Sequence, residues 1–143
     1  LSDKTEISGE ITYLNYLAKQ AGGLNDAMFD SDPYQSNRSR NWFAINWFLY
    51  NAKVTHEFSE STKFSFNFFG LDATRDALGF RTNRVDQVDS FEARDLIKGD
   101  FKNYGFESRL IHSDKLCNKN ATALLGVKFY KGYRTGQRGP GSS

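Results

Sequence analysis

The chain has 143 residues, enough for one domain or one piece of a larger one, and its hydrophobic content of 38% is carried largely by rings, with 13 Phe and 7 Tyr. A formal charge of +2, with acids interspersed among the bases, offers no patch for a nucleic acid, and 12 Gly with 2 Pro argue against a collagen-like or disordered chain. Cys117 is the sole cysteine, which excludes an intrachain disulfide and any CxxC redox or metal motif. The N-terminus does not read as a signal peptide, and no run of about 18 apolar residues exists to form a transmembrane helix. A transmembrane β-strand needs only about 9–11 alternating residues, so a membrane remains open to this chain.

Residues 5–17 begin as a half-apolar strand, with Ile7, Gly9, Ile11 and Tyr13 opposing Glu6, Ser8, Glu10 and Thr12. Residues 18–41 then form a long connection rich in turn formers, including Gly22-Gly23, Asn25-Asp26 and Asp32-Pro33. The strongest pattern follows over residues 42–71. Ala52, Val54, His56 and Phe58 alternate with Lys53, Thr55 and Glu57, and after the polar link 59–62, Phe64, Phe66 and Phe68 alternate with Lys63, Ser65 and Asn67. Two period-two runs across a short polar link predict a β-hairpin.

A second long connection is expected from 71 to about 100. Within it Asp89-Ser90-Phe91-Glu92 has capping-box spacing, and Gly99 stands where a helix would stop, so the spacing predicts a short helix over 90–97. The acidic ladder Asp86, Asp89, Glu92 and Asp95 lacks the ligand order of a calcium loop and reads as a solvated face. A fourth strand is expected over 101–111, a compact turn over 113–120, and a fifth strand over 121–130. The Gly- and Ser-rich tail 136–143 reads as a loop or a loose end.

These readings give an all-β chain, an antiparallel up-and-down meander of about five strands. Its connections alternate long and short, so every long one falls on the same sheet end, as in outer-membrane barrels. Trp42, Phe43, Trp47, Phe48 and Tyr50 suit an aromatic girdle, while His56 and His112 read as surface residues near the short turns. Five strands cannot close a barrel of even about 8, the smallest membrane size, so the chain reads as a barrel segment.

Several motifs carry a family resemblance. Gly22-Gly23-Leu24, the run Phe29-Asp30-Ser31-Asp32-Pro33-Tyr34-Gln35-Ser36-Asn37-Arg38, and Arg40-Asn41-Trp42-Phe43 resemble the first long barrel loop of TonB-dependent outer-membrane receptors of the ferric-citrate (FecA-like) type. Phe68-Phe69-Gly70-Leu71 with Arg75, Leu78-Gly79-Phe80 and Asn83-Arg84 resembles the next loop. The same holds for Arg94-Asp95-Leu96-Ile97, Gly99-Asp100-Phe101, Asn103-Tyr104-Gly105, Tyr133-Arg134 and Gly139-Pro140-Gly141-Ser142, so the likeness covers nearly the whole chain.

The resemblance implies a bacterial outer-membrane β-barrel of roughly 22 strands with a plugged lumen, importing a ferric chelate such as iron dicitrate or a siderophore. Energy would come from TonB through an N-terminal region. Residues 1–143 would be a partial barrel domain without plug or TonB box, unable to transport alone, in contact with outer-membrane lipid and needing no cofactor or resident metal. An anionic chelate calls for guanidinium donors on the loops, which makes Gln35, Arg38, Arg40, Arg75, Arg81 and Arg84 the candidate ligand contacts, with Arg38 the best matched to the family's loop. Glu10, Lys53, Asn67 and Glu107 would line a wetted lumen.

A competing reading is a soluble β-sheet module that binds a ligand or glycan on Trp42, Trp47 and Tyr50. An enzyme has little support, since GxSxG, HExxH and phosphate-binding glycine loops are all missing from the sequence. The exposed phenylalanine stripe further predicts that the chain made alone self-associates.

Overall fold

The computed structural model describes residues 3–36, 38–80 and 84–141. Among them run β1 (Thr5–Lys19), α1 (Asp26–Ser31), β2 (Trp42–Ser59), β3 (Thr62–Gly79), β4 (Arg94–Leu116) and β5 (Lys119–Gly141). The five strands form one open antiparallel sheet in the order β1-β2-β3-β4-β5, so the expected all-β meander is present.

The strands are longer than the sequence pattern suggests, and three expectations need correction. No helix forms over 90–97, because residues 94–97 open β4. The Asp89 carboxylate does reach forward as a cap would, but it accepts from the Phe91 amide at 2.9 Å, and Phe91 takes φ 61. That is a tight local turn whose left-handed step is incompatible with a helix start. The helix of the loops is instead α1, where Asn25 caps by accepting from the Met28 amide at 2.9 Å. Residues 72–79 belong to β3, and residues 136–141 extend β5. Pro140 is tolerated there because β5 is an edge strand. Ser142 of the tail motif, like Asn37 and Asn83, lies outside the described residues.

At the β4–β5 turn, Cys117 (φ 51) and Asn118 (φ 62) both take left-handed backbone, as a two-residue type I′ hairpin requires. Asn tolerates that region and a β-branched residue does not. Asn118→Val is therefore expected to destabilise the hairpin by about 1–2 kcal/mol and Asn118→Gly to leave it unchanged, as read by denaturant titration.

The chain forms two compact units. The first comprises β1 up to Tyr13, Phe48–Asp72 and Phe101–Tyr133. Its side-chain faces are fixed by ring contacts across neighbouring strands, Tyr50 with Phe68 at 5.7 Å, Phe66 with Phe106 at 5.7 Å and Phe106 with Phe129 at 5.6 Å. On that face stand the even-numbered residues of β2, β3 and β4 and the odd-numbered residues of β5; they are apolar along the middle of the strands, with His56, Thr62, His112 and Asp114 toward the short turns and the Asp72–Lys102 pair at the other end. The opposite face carries Asn51, Lys53, Ser65, Asn67, Glu107 and Arg109, around a polar hollow of about 340 Å³. Gly105 sits where an added Cβ would stand 2.5 Å from the Phe129 carbonyl oxygen, so the β4 and β5 backbones approach too closely there for any side chain. Gly105→Ala should cost about 1–3 kcal/mol by the same titration.

The second unit comprises Leu14–Trp47, Ala73–Asp100 and the chain from Arg134 onward. Here the buried apolar positions of β2 and β3 are odd-numbered. Ile45 is 8% exposed and Ala73 2%, while the Phe43 ring meets Tyr16 of β1 at 6.2 Å. The even parity is mixed, with Asn46, Thr74 and Asp76 beside Trp42, Ala44 and Leu78, and in β4 Asp100, which accepts from the Thr135 hydroxyl at 3.0 Å. The largely apolar even parity of residues 48–58 and 64–68 is therefore not kept in the second unit, where the buried apolar residues Ile45 and Ala73 are odd-numbered.

Candidate functional site

The arginines of the loops collect in the second unit. In the first connection the Gln35 side chain turns back on α1, donating to the Met28 carbonyl and, at 2.9 Å, to the Ser31 hydroxyl. Asp32 closes the next turn by accepting from the Tyr34 amide at 2.9 Å. The Ser36 hydroxyl then accepts from the Arg38 amide at 3.1 Å, and the Asn41 amide donates to the Arg38 carbonyl at 3.0 Å. These bonds set the backbone that aims Arg38 inward.

Arg38 is 6% exposed. Its guanidinium donates to the Gln87 carbonyl at 2.9 Å and to the Arg84 carbonyl at 3.3 Å, fastening the first connection to the second. It also lies 5.4 Å from the centre of the Phe80 ring, and Arg94 lies 5.7 Å from the same ring. The Phe80 amide donates to the Asn41 side chain at 2.9 Å, which holds this ring in place between the two cations.

Asp89 is the carboxylate of this cluster. It pairs with Arg94 and stands 3.9 Å from Arg40, whose guanidinium lies 5.5 Å from the Phe91 ring. Arg94 is fully buried in its side chain, and its Nε and Nη1 find no acceptor. Burial, and then the charges of Arg40 and Arg38, push its guanidinium below the ordinary arginine value. Arg84 is 74% exposed and holds Asp86 with two bonds of 3.1 and 2.6 Å, which keeps the Asp86 carboxyl below its usual range.

The structure thus brings Arg38, Arg40 and Arg84 together. Gln35 belongs to the neighbourhood of α1, and Arg75 stands exposed on β3, where Asp72 pairs with Lys102 at 3.5 Å. Arg81 lies outside the described residues. Asp89, Arg94 and Phe80 are central to the cluster although the sequence pattern does not single them out as site residues. The available signal was the five-residue step from Asp89 to Arg94, which an Asx turn folds into contact and a helix would not.

Within the second unit Trp42 and Trp47 have opposite parity and cannot form one aromatic platform. Trp42 carries the Lys19 ammonium 5.3 Å from its ring, whereas the Trp47 indole N–H is buried without an acceptor. In the first unit a hollow of about 350 Å³ is lined by Glu10, Asn51 and Asn103 together with the stacked Phe69 and Tyr130 rings, 6.4 Å apart. Beside it Glu107 pairs with Arg109 and, at 3.8 Å, with Lys128. This face can hold water and polar groups. No helix among the described residues is long and apolar enough to cross a membrane, which says nothing of a β-barrel. No protein-family model matches the chain, no curated protein matches it, and no solved structure matches it.

Proposed function

We propose that this chain is a wall segment of a roughly 22-stranded outer-membrane barrel, a TonB-dependent receptor that binds and imports an anionic ferric chelate. The observation that carries the reading is that the even apolar parity of residues 48–58 and 64–68 is not kept over residues 42–47 and 73–79, where the buried apolar residues Ile45 and Ala73 are odd-numbered. Strands of 18 residues exceed the roughly 9–11 that cross a bilayer. A strand that presents apolar residues to lipid over one stretch, and buries the opposite parity over the next, suits a wall that continues beyond the membrane into water. The polar face of the first unit then lines the lumen, and the arginine-bearing connections belong to the extracellular side.

On this reading Arg38 and Arg94 are the supports, holding loop backbone and Asp89, and Arg40 and Arg84 are the cations that meet the chelate's carboxylates. Arg40→Ala combined with Arg84→Ala in the whole receptor is expected to weaken ferric dicitrate binding and uptake about tenfold or more, measured with radiolabelled iron on cells. Unchanged uptake would remove these two residues from the ligand site, and failure of the intact receptor to take up any ferric chelate would remove the transport reading. The soluble-module alternative predicts a chain that stays monomeric in water. The barrel-wall reading predicts that the isolated chain associates through its phenylalanine face, each buried ring contributing about 1.5–3 kcal/mol, as light scattering with and without detergent would register.

A further inference from the structure

Two histidines stand at the turn-side end of the apolar face of the first unit, and both are held in the same way. The Thr5 hydroxyl lies 2.8 Å from His56 Nδ1, between β1 and β2. The Thr62 hydroxyl lies 2.8 Å from His112 Nδ1, between β3 and β4. Each imidazole shares its parity with the apolar side chains next along its strand, Val54 beside His56 and Leu110 beside His112. Phe58 packs edge-on against the His56 ring at 4.7 Å.

The arrangement occupies one edge of each ring and leaves the other open. A neutral imidazole whose Nδ1 accepts from a hydroxyl carries its hydrogen on Nε2. That hydrogen then stands at the end of an apolar surface, where a bilayer changes from acyl chains to phosphates. We propose that His56 and His112 are docking residues for lipid headgroup phosphates, each donating from Nε2–H to a phosphate oxygen and fixing how deep the sheet sits in the leaflet at its short turns. This inference rests on the barrel-wall reading above, and it adds the headgroup chemistry and the two residues that meet it.

The test is nitrogen-detected NMR on the whole receptor with labelled histidine. It compares nanodiscs of phosphatidylethanolamine and phosphatidylglycerol with phosphate-free maltoside micelles, and repeats the micelle measurement after adding inorganic phosphate. The expected result is the Nε2–H tautomer for both residues, a correlation from each Nε2–H to lipid phosphorus, and hydrogen exchange slowed about tenfold or more in nanodiscs relative to micelles. His56→Gln and His112→Gln should each abolish their own correlation while leaving the other. The Nδ1–H tautomer, or equal exchange in both media, overturns the proposal. So does an equal effect of inorganic phosphate in micelles, which would mark a site for the free ion. Contacts from the Phe66 ring to lipid acyl chains are recorded in the same samples. If those are present and the histidine signals fail, only the headgroup proposal falls; if they are missing, the barrel-wall reading falls with it.

Discussion

Asp89→Ala is expected to loosen the second unit by about 3–5 kcal/mol, the usual consequence of removing one partner from a buried ion pair. The Asp89 side chain is 9% exposed and is the carboxylate shared by Arg94 and Arg40. Removing it leaves Arg94, already without acceptors for two of its nitrogens, as an uncompensated buried cation beside Arg38 and Arg40. The ring of Phe80 stabilises both neighbouring guanidiniums but carries no formal charge to offset theirs. Local hydrogen exchange should therefore rise at Phe80, Gln87 and Phe91 while amides of β3 between Phe64 and Phe68 keep their protection. Asp89→Asn should fall between the two, since it retains an acceptor for Arg94 and for the Phe91 amide. A loss under about 1 kcal/mol in Asp89→Ala would mean that the arginines find other partners and that the cluster does not depend on this carboxylate.

If the proposed barrel wall is right, Phe66→Lys costs about 2–4 kcal/mol in a bilayer, because the Phe66 ring stands midway along the apolar face, stacked on Phe106. The same cation introduced as Tyr50→Lys, toward the end of that band, should cost only about 0–1 kcal/mol, since its ammonium can reach the polar interface. Folding into lipid vesicles monitored by tryptophan fluorescence gives both numbers. Equal costs at the two positions would show that no depth gradient acts on this face.

The strands and their order were legible in the sequence wherever one parity stayed apolar. Phe64, Phe66 and Phe68 against Lys63, Ser65 and Asn67 leave little choice but a two-faced strand, and the structure has it. The far half of β3 was not legible for a physical reason. Its apolar residues Ala73 and Ala77 take the opposite parity from the phenylalanines, so any window across residues 68–77 sees the alternation cancel and reads a loop among Asp72, Arg75 and Asp76. The extension of β5 was hidden by Gly136, Gly139 and Pro140, residues depleted in central strands but admissible at an edge. The helix was misplaced because Asn25-Asp26 read as turn formers while Asp89-Ser90-Phe91-Glu92 had capping-box spacing. Asn25 reaches the third amide on and starts α1, whereas Asp89 bonds only two residues on and spends its remaining oxygen on Arg94.

For the loop site, the candidate arginines could be named from composition and motif, but not their division of labour. Arg38 and Arg40 differ by two positions in the chain, yet one is 6% exposed and bonded to two carbonyls while the other pairs with Asp89 and lies over Phe91. That difference arises from contacts spanning more than 40 residues, Arg38 with Arg84 and Gln87, which no local pattern encodes.

The central claim is that β3 changes from a lipid-facing to a water-facing strand where its apolar parity reverses, and accessibility of spin labels along β3 tests it most directly. In a Cys117→Ser background, labels would replace Phe64, Phe66, Phe68, Thr74 and Asp76 one at a time, all of one parity, in the receptor reconstituted into bilayers. The account predicts collisions with dissolved oxygen at the three phenylalanine positions and with a water-soluble nickel chelate at Thr74 and Asp76. Nickel access at all five positions, or oxygen access continuing through Asp76, would contradict it.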